Sequence, residues 1–137
     1  MTRPRIDHIG IIVGNLEQAI ARFSVLFPEG PSSRTEMADV GLRVAKFDAE
    51  NIVIEFLEYT DAEVSLAAQT MGRQLGLNHI TLEVGDMETA IGDLAGQGFR
   101  LQAGFPRPGA HGIIAFFEPD ENTGLLLEIC QSDGALP

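Results

Sequence analysis

Hydrophobic and polar positions along this chain fall into two blocks of the same design. From Ile6 to Val13 the sequence is apolar on both faces apart from Asp7 and His8, which predicts a buried strand. Gly14-Asn15 ends it, and Asn15 followed by Gln18 makes a capping-box pattern at a helix start. Leu16, Ala19, Ile20, Phe23, Leu26 and Phe27 then recur at helical spacing as one apolar stripe, which Pro28-Glu29-Gly30-Pro31 stops. A short polar strand is expected over residues 32–37. Val40 to Phe47 alternates as a strand, with Val40, Leu42 and Val44 on one face. Asp48 to Asn51 reads as a hairpin turn, and Asn51 to Glu58 as the following strand.

Tyr59 to Gly76 reads as a linker, helical over Ala62 to Met71, whose role is to carry the chain to the second block. Leu77 to Val84 is again a strand. Asp86 caps a second helix with the stripe Met87, Ala90, Ile91 and Leu94, ended by Gly96-Gln97-Gly98. Phe99 to Ala103 is expected as a short strand. Gly104 to Gly112, rich in Gly and Pro, is either a hairpin loop or a mobile lid. Ile113 to Glu118 and Gly124 to Gln131 form the last two strands, and the tail after Gln131 is expected to be loose.

The two blocks are a duplication. Asp7-His8-Ile9 and Val13-Gly14 fall on Asn78-His79-Ile80 and Val84-Gly85 at an offset of 71 residues without a gap. Ile54-Glu55-Phe56 falls on Leu127-Glu128-Ile129 at an offset of 73. Each unit of roughly 70 residues opens with a His-bearing strand and closes with a Glu-bearing one, and such a repeat governs the fold reading. The expected class is α+β: one domain over residues 1–137, with a strand-helix-three-strand module at 6–58, a linker at 59–76 and a second such module at 77–131.

The composition narrows the function. At 137 residues with a 45% hydrophobic fraction, the chain supports a real core. No apolar run approaches the roughly 18–20 residues that span a bilayer. Strand-like sequence begins at Ile6, leaving no room for a signal peptide. The single cysteine, Cys130, excludes an internal disulfide, and the two together point to a cytoplasmic protein. A net charge of −11 argues against nucleic acid as a partner. An anionic ligand would need a local basic patch drawn from Arg34, Arg43, Lys46, Arg73, Arg100 and Arg107.

Glu55 and Glu128 carry the most information. Strand alternation puts Glu55 on one face with Val53 and Leu57, inside an apolar run, and a carboxylate there needs a partner or a metal. A lone Glu of this kind is usually on a solvent-exposed face, and a lone strand His is usually a core residue. Two of each at equivalent repeat positions point instead to a metal site of His8, Glu55, His79 and Glu128. Gly10 leaves room beside His8. Two imidazoles and two carboxylates suit a divalent ion such as Co²⁺, Zn²⁺, Ni²⁺ or Mn²⁺, which acts as a Lewis acid on a carbonyl oxygen if a coordination position is open. Cys130 is expected as a small buried hydrophobe on the Glu128 side of its strand.

In these residues the chain resembles the vicinal oxygen chelate superfamily from Ile6 to Gln131. Asp7-His8-Ile9-Gly10-Ile11-Ile12-Val13, Ile54-Glu55-Phe56-Leu57, Asn78-His79-Ile80, Gly109-Ala110-His111-Gly112 and Leu125-Leu126-Leu127-Glu128-Ile129 resemble its methylmalonyl-CoA epimerase branch. The resemblance implies paired βαβββ modules, a cupped mixed sheet around a divalent metal, and a homodimer. Its metal positions carry over to His8, Glu55, His79 and Glu128. Position 55 is often Gln in that branch, and Glu there is also the glyoxalase I pattern. Val44 stands where some bacterial epimerases have a glutamate proposed as a base, and Asp61-Ala62-Glu63-Val64-Ser65 replaces a Ser-Pro-Ile-type segment.

The activity so implied moves a proton next to the carbonyl of an acyl thioester such as methylmalonyl-CoA. Glu128 and Glu55 would be the catalytic bases, and Arg107 and His111 are candidates for substrate contact. Two alternatives are a glyoxalase-type enzyme acting on a hemithioacetal and a metal-free binding protein of the bleomycin-resistance type. Ring-cleaving dioxygenases of this fold use two His and one carboxylate on iron, so a fourth ligand speaks against them.

Overall fold

The computed structural model describes residues 3–60 and 65–132. Residues group into two compact units, one from His8 to Asn78, the other from His79 onward with the residues before His8. Among the described residues no helix is long and apolar enough to cross a membrane.

The first module runs β1 (Arg5–Ile12), α1 (Leu16–Phe23), β2 (Ser33–Met37), β3 (Leu42–Asp48) and β4 (Val53–Tyr59). β1 pairs in parallel with β4, and β4 pairs antiparallel with β3, which pairs antiparallel with β2. Only part of β1 is buried: Arg5, Ile6 and Asp7 are exposed, and burial begins at His8. Asn15 caps α1, its side chain accepting the Gln18 backbone N–H at 2.9 Å. The helix ends sooner than its apolar stripe. Ser24 closes it, donating its hydroxyl to the Ile20 carbonyl at 2.6 Å. The chain then turns, so that Phe27 packs on Phe47 with ring centroids 4.9 Å apart, while Leu26 is left 66% exposed. Leu26 is therefore not part of the stripe. Leu16, Ala45, Phe47 and Phe56 make the core between α1 and its strands, joined by Ile11 and Ile54.

Between the modules lies α2 (Leu66–Met71), shorter than expected; Ala62 to Val64 lie outside the described residues. It is anchored and is more than a connector. Ser65 caps it, accepting the Ala68 N–H at 3.0 Å and donating to the backbone carbonyls of the Val40–Gly41 turn at 3.1 Å. Ala67, Ala68 and Met71 are buried. Asn78 donates its side-chain amide to the Met71 carbonyl at 2.8 Å.

The second module repeats the first as β5 (Gly76–Glu83), α3 (Met87–Gly96), β6 (Arg107–Gly109), β7 (Gly112–Phe116) and β8 (Leu126–Ser132). β5 is parallel to β8, β8 antiparallel to β7, and β7 antiparallel to β6. Asp86 caps α3 by accepting the Thr89 N–H, and the Gln131 side chain accepts the Met87 N–H at 2.6 Å. Met87, Ala115, Phe117 and Ile129 form this module's core against α3.

One expectation here is corrected, and one pair of alternatives is decided. Phe99 to Ala103 is not a strand, since only Leu101 makes an isolated bridge, to Phe117. The edge strand is β6 instead, so the Gly/Pro-rich segment is a tight hairpin with Ala110-His111 at its tip and not a lid. The expected tail after Gln131 extends from Ser132, which still belongs to β8, into residues outside the described part.

Candidate functional site

In each module the Glu-bearing strand lies beside the His-bearing one, and alternation sorts their side chains. On β4, Ile54 and Phe56 point to α1, so Glu55 and Leu57 occupy the opposite face. On β8, Leu127 and Ile129 point to the α3 side, leaving Leu126, Glu128 and Cys130 on the other. The parallel register sets Gly10 beside Glu55 and Thr81 beside Glu128, the same pairing in both copies of the repeat.

Each Glu meets the His of its own module. His8 Nε2 lies 3.5 Å from Glu55 Oε2, with side chains 9% and 14% exposed. His79 Nε2 lies 3.3 Å from Glu128 Oε1, with side chains 3% and 6% exposed. These separations lie just beyond the usual N–H···O hydrogen-bond range of about 2.7–3.2 Å. Glu128 has a closer partner, because the Thr81 hydroxyl donates to its Oε1 at 2.5 Å. Thr81 is fully buried. Gly10, at the matching place in the first module, has no side chain to offer.

The surroundings are apolar. The His79 and Phe116 rings stand nearly perpendicular with centroids 5.2 Å apart, and Phe116 lies directly across from Glu128 in the sheet. Leu57 and Val44 are buried across from each other on the Glu55 face. Val44 thus brings no carboxylate to that position. Lys46, opposite Glu55 in register, is the cation this face of β3 supplies.

The other expected cations do not gather into a basic patch. Arg34 pairs with Glu17, Arg43 with Glu36 and Glu58, and Arg73 lies over the Tyr59 ring. Arg107 is half-buried on β6 opposite Ile114, which in turn lies opposite Cys130, so it shares the Glu128 face one row further along. His111 sits exposed in the hairpin turn. Cys130, expected as a small buried hydrophobe, is half-buried.

Thr81 was not singled out by sequence reasoning, yet its signal was present: it lies two residues after His79, which alternation places on the same face. Both His–Glu pairs present one nitrogen and one oxygen donor from buried or nearly buried side chains, a donor set that fits a borderline divalent cation.

A sequence description of the glyoxalase/bleomycin resistance protein/dioxygenase superfamily matches residues 7–117. The chain belongs to this superfamily. Among curated members, the uncharacterized protein YqjC of Bacillus subtilis is 31% identical, over 95% of this chain and 94% of its own. The ethylmalonyl-CoA/methylmalonyl-CoA epimerase of Cereibacter sphaeroides is 30% identical, over 93% of this chain and 97% of its own. Among solved members of the superfamily, a variant of the Streptomyces coelicolor methylmalonyl-CoA epimerase in complex with 2-nitronate-propionyl-CoA superposes with a TM-score of 0.77. It is 25% identical and covers 96% of this chain and 99% of that one. Its architecture is the one expected from the duplicated strand-helix-strand pattern.

Proposed function

We propose that the protein is an epimerase that moves the proton α to the carbonyl of an acyl-CoA such as methylmalonyl-CoA, with His8, Glu55, His79 and Glu128 holding one divalent ion. The observation that carries this reading is the repeated, buried pairing of one His with one Glu, at 3.5 Å and 3.3 Å, on the sheet face away from each helix. Relatives that carry epimerase names over nearly the full chain support the substrate class. The hemithioacetal and drug-sequestration readings have no counterpart among the relatives described above.

The chemistry asks for stabilisation of a carbanion and for two proton carriers. A bound divalent ion supplies Lewis acidity at the thioester carbonyl. Glu128 takes the α-proton, and Glu55 returns a proton to the other face of the planar carbanion, which inverts the carbon. The 2-nitronate-propionyl-CoA held by the Streptomyces relative is itself a planar delocalised anion, the charge type such a site must accommodate. Leu57, Val44 and Phe116 keep the surroundings dry, which strengthens every charge interaction made there.

The test is exchange of the α-proton of methylmalonyl-CoA with solvent deuterium, followed by NMR. Wild-type protein should exchange and epimerise the substrate. Glu128→Gln, still folded and still metal-loaded, should lose about 10²–10⁴-fold in rate, the usual worth of a positioned acid-base group. Full activity in that variant would overturn the assignment of Glu128.

A further inference from the structure

The two copies of the repeat differ where they should match most closely. Opposite Glu55 in the parallel register stands Gly10, and opposite Glu128 stands Thr81. The Thr81 hydroxyl reaches Glu128 Oε1 at 2.5 Å, at the short end of charge-assisted O–H···O⁻ bonds, and is buried from solvent. Threonine is stiff at χ1, so its hydroxyl direction is set by the strand itself. His79 approaches the same oxygen from further off, at 3.3 Å.

We infer that Thr81 is a positioning residue that locks the plane of the Glu128 carboxylate, making the two halves of the site unequal. Glu128 is the rigid carboxylate, oriented in advance. Glu55 faces Gly10 in the matching register, so no hydroxyl from that position reaches it, and its imidazole neighbour is His8. The inference rests on the proposed metal site, and it concerns how this chain's own residue prepares a ligand. Partners that orient a metal ligand in this way typically contribute about 10–100-fold in metal affinity or activity.

The experiment is a Co²⁺ titration followed by visible absorption, on wild type, Thr81→Val and Thr81→Ser, with the folded state of each checked by near-UV circular dichroism. Thr81→Val should bind Co²⁺ at least 10-fold more weakly and with a shifted visible band, while Thr81→Ser keeps affinity and band close to wild type. In turnover, kcat should fall in Thr81→Val with KM changed little. Should the valine variant fail to fold, Thr81→Ala gives the same reading. Wild-type affinity and an unchanged band in a folded Val or Ala variant would overturn the role of Thr81 while leaving the metal site standing. Absence of Co²⁺ binding to wild type would overturn the metal reading itself, and this inference with it.

Discussion

A carboxylate on the dry face of a strand is penalised by several kcal/mol unless neighbours compensate it. Glu128 is compensated by the Thr81 hydroxyl and by His79, Glu55 by His8. The need for a partner was legible in Ile54-Glu55-Phe56 and Leu127-Glu128-Ile129, because charge inside an apolar strand is anomalous. Which oxygen is held, and by what, was not, since it depends on the register of β5 against β8. A second anomaly of burial concerns the single tyrosine, Tyr59. Its hydroxyl donates to the Gly72 carbonyl and the Arg73 guanidinium lies 5.4 Å from its ring centroid. Burial pushes its phenol up to about 12, against a smaller opposing pull from Arg73. The folded state therefore keeps this proton longer than the unfolded chain, whose phenol titrates near 10. The associated stability is fully present below pH 10 and is lost as pH rises through 12. With one tyrosine in the chain, phenolate absorbance reads the group directly. It should titrate near pH 12 in the folded protein and near pH 10 in urea, and a folded-state midpoint at 10 would contradict the burial account.

Capping explains which helices were legible. Asn15 and Asp86 each accept an N–H three residues on, and both starts followed from the sequence. The helix end at Phe23 did not, because the apolar stripe continues through Phe27 while the Ser24 hydroxyl takes the Ile20 carbonyl and closes the turn early. The β6–β7 hairpin was ambiguous for a related reason. Its Gly and Pro residues suit a loop, and only pairing with β7 makes Arg107–Gly109 a strand. The docking of α2 was also hidden, since it depends on the turn before β3. There Gly41 has φ of 71°, and a Cβ on it would lie 3.1 Å from the backbone and side chain of Ser65, which would have to shift by a few tenths of an ångström. Gly41→Ala should lower stability by about 1–2 kcal/mol from the left-handed backbone alone, and by more from the Ser65 contact. Urea unfolding measures this, and an unchanged midpoint would show that α2 is not anchored as described.

For the whole molecule, the internal repeat carried most of the prediction. A duplication with His-led and Glu-closed strands predicts the paired modules, and the chain's membership of the superfamily agrees with that architecture. Among the described residues Arg5, Arg34 and Arg43 are paired with glutamates on the surface, so the net charge of −11 leaves no basic surface there for an anionic polymer. The departure from symmetry, Thr81 against Gly10, lies in the very strands that align best. Four repeated residues acting as one site on one ion, as proposed, would show in the metal stoichiometry. Titration of metal-free protein with Co²⁺ should saturate at one ion per chain, and Glu55→Gln and Glu128→Gln should each weaken that same event. Two independent binding events, each lost with one substitution only, or no stoichiometric binding, would contradict it.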